Sequence, residues 1–265
     1  AAIMADLRED VSEKELTYIS NSEPRGVSAA RNQAISVTDA DYIAFLDDDD
    51  IWNPIKTKTQ LSTFRDGAES IAAVYCGFKS VSDTGKHLHT KVPKHRGDIF
   101  EDLLVKDVVG PPSTVMIRRN AIEDIGGFNQ GYQHHEDWEL YLRLADKYDF
   151  DLDSQPLTIR TIHDDATSNE IDAALEHRER IISSHEPDLH DNNLYDSAWA
   201  AHYRKSGVMA CRHGELKKGR CFFRNSASQQ PRLSVILLYI STLFGKCGFE
   251  SLRALKRVAN TKLSG

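Results

Sequence analysis

Four consecutive carboxylates, Asp47-Asp48-Asp49-Asp50, stand between the apolar run Tyr42-Ile43-Ala44-Phe45-Leu46 and the pair Ile51-Trp52. A buried strand that stops abruptly in an acidic cluster puts hard oxygen donors at the edge of a sheet. Ligand sites of open α/β sheets lie outside the carboxyl ends of their strands, and donor sets made only of oxygen suit Mg2+ or Mn2+. A solvated turn ahead of the next helix is the plainer reading of an acidic run. The apolar strand in front and the Trp behind favour the chemical one. A second acidic pair, Glu136-Asp137, opens a segment in which Trp138, Tyr141, Leu142 and Ala145 recur at helical spacing. Acids are common in a first helical turn, where the dipole favours the ionised carboxylate, so this position predicts an Asp137 that stays charged at neutral pH. His134 and His135 precede the pair, and adjacent histidines point in different directions, as loop residues do.

The elements that would carry these groups alternate along the chain. Residues 3–15 read as a helix and Leu16-Thr17-Tyr18-Ile19 as a short strand, followed by a loop through Pro24 and Gly26. Val27, Ala30, Ala34 and Ile35 give residues 27–36 one apolar helical face. After the 42–46 strand, Asn53-Pro54 opens the next helix. Strands are predicted at 71–81, 113–117 and 157–162, and helices at 98–106, 120–125 and 136–148. Gly110-Pro111-Pro112-Ser113 reads as a rigid loop. Strand-helix-strand alternation argues for parallel pairing. Beyond about residue 168 the signals are helical: 198–207 and 216–227 resemble a hairpin, and 234–244 is an apolar run too short to span a bilayer. This run reads either as a membrane-surface anchor or as a helix packed on the body.

Taken in order, three stretches resemble the family 2 glycosyltransferases, inverting enzymes of GT-A fold. Arg25-Gly26-Val27-Ser28-Ala29-Ala30-Arg31-Asn32 resembles the family's G-x-S-x-A-R-N segment. Phe45 to Trp52 resembles its D-x-D motif, written F-L-D-x-D-D-x-W. Gly126-Gly127-Phe128 with Glu136-Asp137-Trp138-Glu139-Leu140 and Arg143 resembles G-G-F…E-D-W-x-L-x-x-R. The resemblance implies an α/β fold: a GT-A (nucleotide-diphospho-sugar transferase, Rossmann-like) mixed sheet flanked by helices, with a C-terminal helical extension. Residues 1–168 would form the catalytic domain and 169–265 the extension. The family's opening strand-helix-strand unit has no counterpart here, so the catalytic domain is expected to be N-terminally incomplete or degenerate.

The resemblance also assigns roles. Gly26, Arg31, Asp47, Asp48 and Asp49 would bind a nucleotide-sugar, with Asp49, Asp47 and His163 around a divalent Mn2+ or Mg2+ that offsets charge on the diphosphate. Arg31 would set a guanidinium near that diphosphate. Asp137 would be the general base of a single displacement, with Glu136 and Trp138 on the acceptor side. The implied partners are a nucleotide-sugar donor, with UDP the first choice, and a glycan or lipid-linked glycan acceptor of cell-surface polysaccharide synthesis. Three other readings compete. A phosphatase of the haloacid dehalogenase type also sets D-x-D after a strand, but wants Thr or Val where Ile51 stands. A calcium loop would need Gly where Trp52 stands. An inactive glycan-binding relative would keep the acceptor half alone.

Composition bounds the rest. The 265 residues suffice for one large domain or a domain with an appendage. Cys76, Cys211, Cys221 and Cys247 show no paired spacing, so neither a zinc site nor a disulfide framework is indicated and a reducing cytoplasm is the simplest compartment. The net charge of −7 is uneven: from Arg204 onward 13 Lys and Arg face two acids, about +11, leaving about −18 on the rest. A basic end on an acidic body predicts contact with an anionic surface, such as the inner face of a membrane. Bulk nucleic-acid binding is the less favoured reading, because no recognised aromatic-interleaved basic motif accompanies the charge.

Overall fold

A computed structural model describes residues 16–162 and 168–263; the expected helix at 3–15 and His163 lie outside the described residues. The sheet runs in the order β1-β5-β3-β6-β2, with β4 paired to β3. Its strands are β1 (Tyr42–Ala44), β2 (Ile51–Trp52), β3 (Ile71–Ser82), β4 (His87–Lys91), β5 (Val115–Arg118) and β6 (Asp149–Ile162). Strand β3 is its spine. Residues Ile71 to Phe78 are all buried, the signature of a central strand covered on both faces. Only β3 and β6 pair in parallel; β1–β5, β3–β5, β3–β4 and β2–β6 are antiparallel. The mixed sheet flanked by helices is therefore present, and the wholly parallel pairing suggested by strand-helix alternation is not.

Helix α1 (Val27–Ser36) precedes β1, and α2 (Lys56–Asp66) follows β2. Helix α2 starts two residues later than Asn53-Pro54 suggests. The Asn53 side chain accepts from the Ile55 N–H at 3.1 Å and its carbonyl from Lys56 N–H at 2.9 Å, making a turn before the helix. The quartet Leu16–Ile19 is not a strand; Tyr18 is exposed, and no strand among the described residues pairs with it. Helices α3 (Phe100–Val105) and α4 (Arg119–Asp124) are short, and a 3-10 turn over Pro112–Thr114 leads into β5. Helix α5 (Glu136–Ala145) is buried along almost its whole length, Arg143 being the polar exception in its last turn.

The helices after residue 168 are α6 (Ser168–Ser184), α7 (Glu186–Asp191), α8 (Tyr195–Arg212), α9 (Leu216–Gln229), α10 (Leu233–Leu243) and α11 (Gly245–Leu263). Ile181, Ile182, Leu189, Ala198 and Trp199 join the same core as Trp138, Tyr141 and Ile117. A second, smaller core gathers Cys211, Phe223, Val235, Leu238 and Phe249. Helix α8 thus belongs to the main body at its start and to the helical end at its finish.

Candidate active site

The acidic run crosses the end of the sheet. It leaves β1, at one side of the strand order, and enters β2, at the other. What holds it there is Ser113, in the 3-10 turn below. The Ser113 hydroxyl accepts from Asp47 N–H at 3.0 Å, and its carbonyl accepts from Trp52 Nε1–H at 2.6 Å and from the Thr158 hydroxyl at 3.2 Å. The Trp of F-L-D-x-D-D-x-W is thus a lock, further pinned by Lys56, whose buried ammonium lies 4.2 Å from the indole centroid. Burial lowers Lys56 to about 8. Strand β6 closes the run from the far side: the Thr161 hydroxyl donates to the Asp49 carbonyl at 2.7 Å, and Thr161 N–H to the Asp50 carboxylate at 3.3 Å.

The four carboxylates are not alike. Asp47 is half-buried, Asp48 and Asp49 are exposed, and Asp50 is buried. Asp47, Asp48 and Asp49 line a cavity of about 910 Å³ with Val27, Ala30, Arg31, Ala34, Phe45 and Leu46. Asp50 Oδ2 has no hydrogen-bond partner among the described residues. Burial raises the Asp50 pKa, the Ser113 hydrogen bond opposes this, and the charges of Asp49 and Asp47 raise it further. No three metal-ligating side chains converge into a ready cage among the described residues. The donor set is nevertheless all carboxylate, and a buried, orphaned oxygen beside like charges is what a hard cation would relieve.

Arg31 joins the three motifs. Its Nη2 donates to Asp47 Oδ1 at 2.7 Å and its Nη1 to Glu136 Oε1 at 2.9 Å. The guanidinium lies 5.3 Å from the Phe128 ring centroid and 5.9 Å from that of Phe45. Burial works against the Arg31 charge, and Asp47 and Glu136 more than offset it, so its pKa is raised. Both arms of the fork are engaged by carboxylates, so Arg31 acts first as the brace between the acidic run and the start of α5. Asn32, one residue on, clasps the G-G-F loop: Nδ2 donates to the Phe128 carbonyl and Oδ1 accepts from Phe128 N–H, both at 2.8 Å. Arg143 completes the frame by donating to the carbonyls of Ile125 (2.6 Å) and Gly127 (2.8 Å) while pairing with Glu139 at 2.7 Å. Gly127 sits at φ +71, where a Cβ would come within 2.6 Å of Asn32 Oδ1.

Asp137 lies beside Glu136 in the first turn of α5 and is half-buried. Its Oδ1 accepts from Trp138 N–H at 2.7 Å. Burial first, then the negative charges of Asp107 and Glu136, push its pKa up to about 7, against the smaller pull of that hydrogen bond and of Arg31. The helix dipole does not win here. Desolvation and two carboxylates outweigh it, so the expected low pKa gives way to one poised at neutrality. The residue before α5, His135, adopts φ 61, a left-handed conformation uncommon for a side-chain-bearing residue. Its imidazole is held neutral, lowered to about 2 by burial and by the charges of Lys205 and Arg178. His177 of α6 supports this loop, its Nδ1 accepting from His134 N–H at 3.1 Å.

Two residues expected at the site lie elsewhere. Trp138 is fully buried, its Nε1–H donating to the Leu103 carbonyl at 2.8 Å and Arg178 stacked 4.5 Å from its ring centroid, so it supports α5 from the core. Gly26, at φ 81, lines a neighbouring hollow with Pro24, Ser28, Tyr132 and Gln133 rather than the acidic cavity. The roles of Ser113, Asn32 and Asp50 emerge only in the fold. A Ser that anchors through its hydroxyl and carbonyl carries no spacing signal, whereas Asn32 is visible in the sequence as the end of the G-x-S-x-A-R-N segment and Asp50 as the fourth acid.

A mixed sheet flanked by helices, with an acidic loop crossing its end towards the helix-borne carboxylates Glu136 and Asp137, has the GT-A fold. The solved structure of Staphylococcus aureus TarS shares this fold at a TM-score of 0.57 and 14% identity, over 96% of this chain and 44% of that one. A mannosyltransferase from Pyrobaculum calidifontis, in complex with GDP-Man and Mn2+, matches at 0.51 and 14%, over 94% and 72%. Across residues 1–126, just under half of the chain, the sequence matches the family described as glycosyl transferase family 2. Relatives include the uncharacterized Bacillus subtilis glycosyltransferase YwdF, 29% identical over 50% of this chain and 49% of its own length. Another is an Escherichia coli UDP-Glc:α-D-GlcNAc-diphosphoundecaprenol β-1,3-glucosyltransferase, WfaP, 26% identical over 54% and 53%. The chain spans about half the length of the curated relatives it matches.

Proposed function

We propose that the chain carries the catalytic centre of an inverting, metal-dependent transfer of a sugar from a nucleotide-diphospho-sugar to a hydroxyl acceptor in cell-surface polysaccharide synthesis. The observation that carries this reading is the Arg31 brace, which links the acidic run at Asp47 to Glu136, the neighbour of Asp137. A UDP-sugar is the proposed donor, in keeping with the WfaP relative. Asp49 and Asp47 would hold a divalent cation, which when bound offsets the charge of the diphosphate leaving group. Asp48 would meet the ribose hydroxyls, and His163 completes the proposed set beyond the end of β6.

Asp137 then has one task. As the acceptor oxygen forms its bond to the anomeric carbon and the carbon–oxygen bond to the diphosphate breaks, the hydroxyl proton passes to the Asp137 carboxylate. A base titrating near 7 suits that transfer, because it is substantially ionised at neutral pH yet basic enough to take the proton. The acceptor would be a glycan or lipid-linked glycan, with the chain in the cytoplasm at the inner face of the cell membrane. The test is the anomeric configuration of the product, followed by NMR with an α-linked UDP-sugar. A β-linked product is expected; an α-linked one would rule out single displacement with Asp137 as base.

A further inference from the structure

Helix α10 has two faces of opposite fate. Val235, Leu238, Ser241 and Thr242 are buried, in part against Phe223 and Phe249. Leu233, Ile236, Leu237, Ile240 and Leu243, with Phe244 just beyond, point the other way and are 40–75% exposed. Their spacing of three and four residues draws one continuous apolar stripe along the helix. Such a stripe on an exposed helix marks a surface that something covers.

The charges around it say what. Arg232 precedes the helix, Lys246 follows it, and a hollow beside Leu243 is lined by Lys217, Lys218 and Arg220. Arg220 is fixed there by donating to the Thr242 carbonyl at 3.2 Å, whereas Lys218 is paired with Asp172 at 2.5 Å. From Arg204 to the end only Glu215 and Glu250 are acidic. A second copy meeting this patch about a two-fold axis would set like charges against each other. A bilayer with anionic phosphate headgroups offers both the apolar phase and the opposite charge.

We propose that α10 lies in the plane of an anionic membrane surface, its Leu233–Phe244 stripe sunk to the acyl boundary and the flanking cations on the headgroup phosphates. The helix cannot span: its 11 residues reach about 16 Å, against about 30 Å of hydrocarbon. No helix among the described residues is long and apolar enough to cross a membrane. The contact gives the proposed membrane location a specific surface, and it is measured without sugar transfer, so the two readings fail separately.

The test is co-sedimentation of the full chain with phosphatidylcholine vesicles, with and without about 30% phosphatidylglycerol. Binding to the anionic vesicles alone is expected. It should weaken about tenfold or more when Ile236→Ser and Ile240→Ser are combined, and comparably for Lys217→Glu with Lys246→Glu. All four positions are exposed, and circular dichroism and the unfolding midpoint check that the variants remain folded. Undiminished binding by the apolar variant would overturn the proposal, as would equal binding to neutral vesicles or no binding at all. Light scattering tests the alternative occupant: a dimer that the Ile236→Ser/Ile240→Ser variant disperses would overturn the proposal by assigning the stripe to a second copy.

Discussion

Asp137 shows how environment, not residue type, sets chemistry. At the start of α5 the dipole favours the carboxylate, yet burial and the neighbouring charges of Asp107 and Glu136 raise its pKa to about 7. If Asp137 is the base, as proposed, it must be ionised, so transfer should rise with pH through about 7 and then level off. The sign for stability is opposite. A carboxyl whose folded pKa lies above its unfolded value contributes stability present below about 4 and lost as pH climbs through about 7. Asp137→Asn should therefore lower transfer by about 10²–10⁴-fold while being less destabilised than the native chain on going from pH 5 to pH 8. Transfer rates and thermal melts at the two pH values check both halves. A variant that keeps its activity, or a native melting temperature that rises with pH while that of the variant does not, would contradict the assignment.

At the scale of elements, the site is a joint among α1, the β1–β2 crossing and the loop that enters α5. Asn32 clasps the G-G-F loop in this joint, because the backbone of Phe128 is bonded in both directions by its one side chain. Gly127→Ala should destabilise the protein by about 2–4 kcal/mol, through left-handed strain together with the clash on Asn32. Urea unfolding measures this, and a neutral result would show that the clasp is not needed. Much of this layer is legible in the sequence. Val27–Ser36 and the helix begun by Glu136 show helical periodicity, and the unbroken apolar run from Ile71 marks a central strand. The motif residues Arg31, Asp47 and Glu136, each visible in the sequence, meet in space through a brace that the sequence does not announce. Less is legible where the signal is not periodic. Leu16–Ile19 has strand composition but no pairing partner among the described residues. Strand β6 begins eight residues before the strand expected at 157–162, its first apolar residues Phe150 and Leu152 being set between acids. Ser113 works through a hydroxyl and a carbonyl that carry no pattern along the chain. The pKa of Asp137 is beyond the reach of sequence for a different reason: Asp107 lies 30 positions away and meets it only through the fold.

Across the whole molecule, an acidic α/β body is joined to a basic helical end, with α8 contributing to both cores. The body presents an open, carboxylate-lined cavity of about 910 Å³; the end presents an apolar stripe among cations. On the proposed reading this division would separate chemistry from placement, the acidic cavity taking the donor and the basic end holding the chain near an acceptor. The central claim is that Asp47 and Asp49 form a cation-assisted donor site. Calorimetric titration with UDP, in the presence and absence of Mn2+, tests it most directly. We predict binding that requires Mn2+ and is lost in Asp49→Ala. Metal-independent binding, or binding that survives Asp49→Ala, would contradict the account.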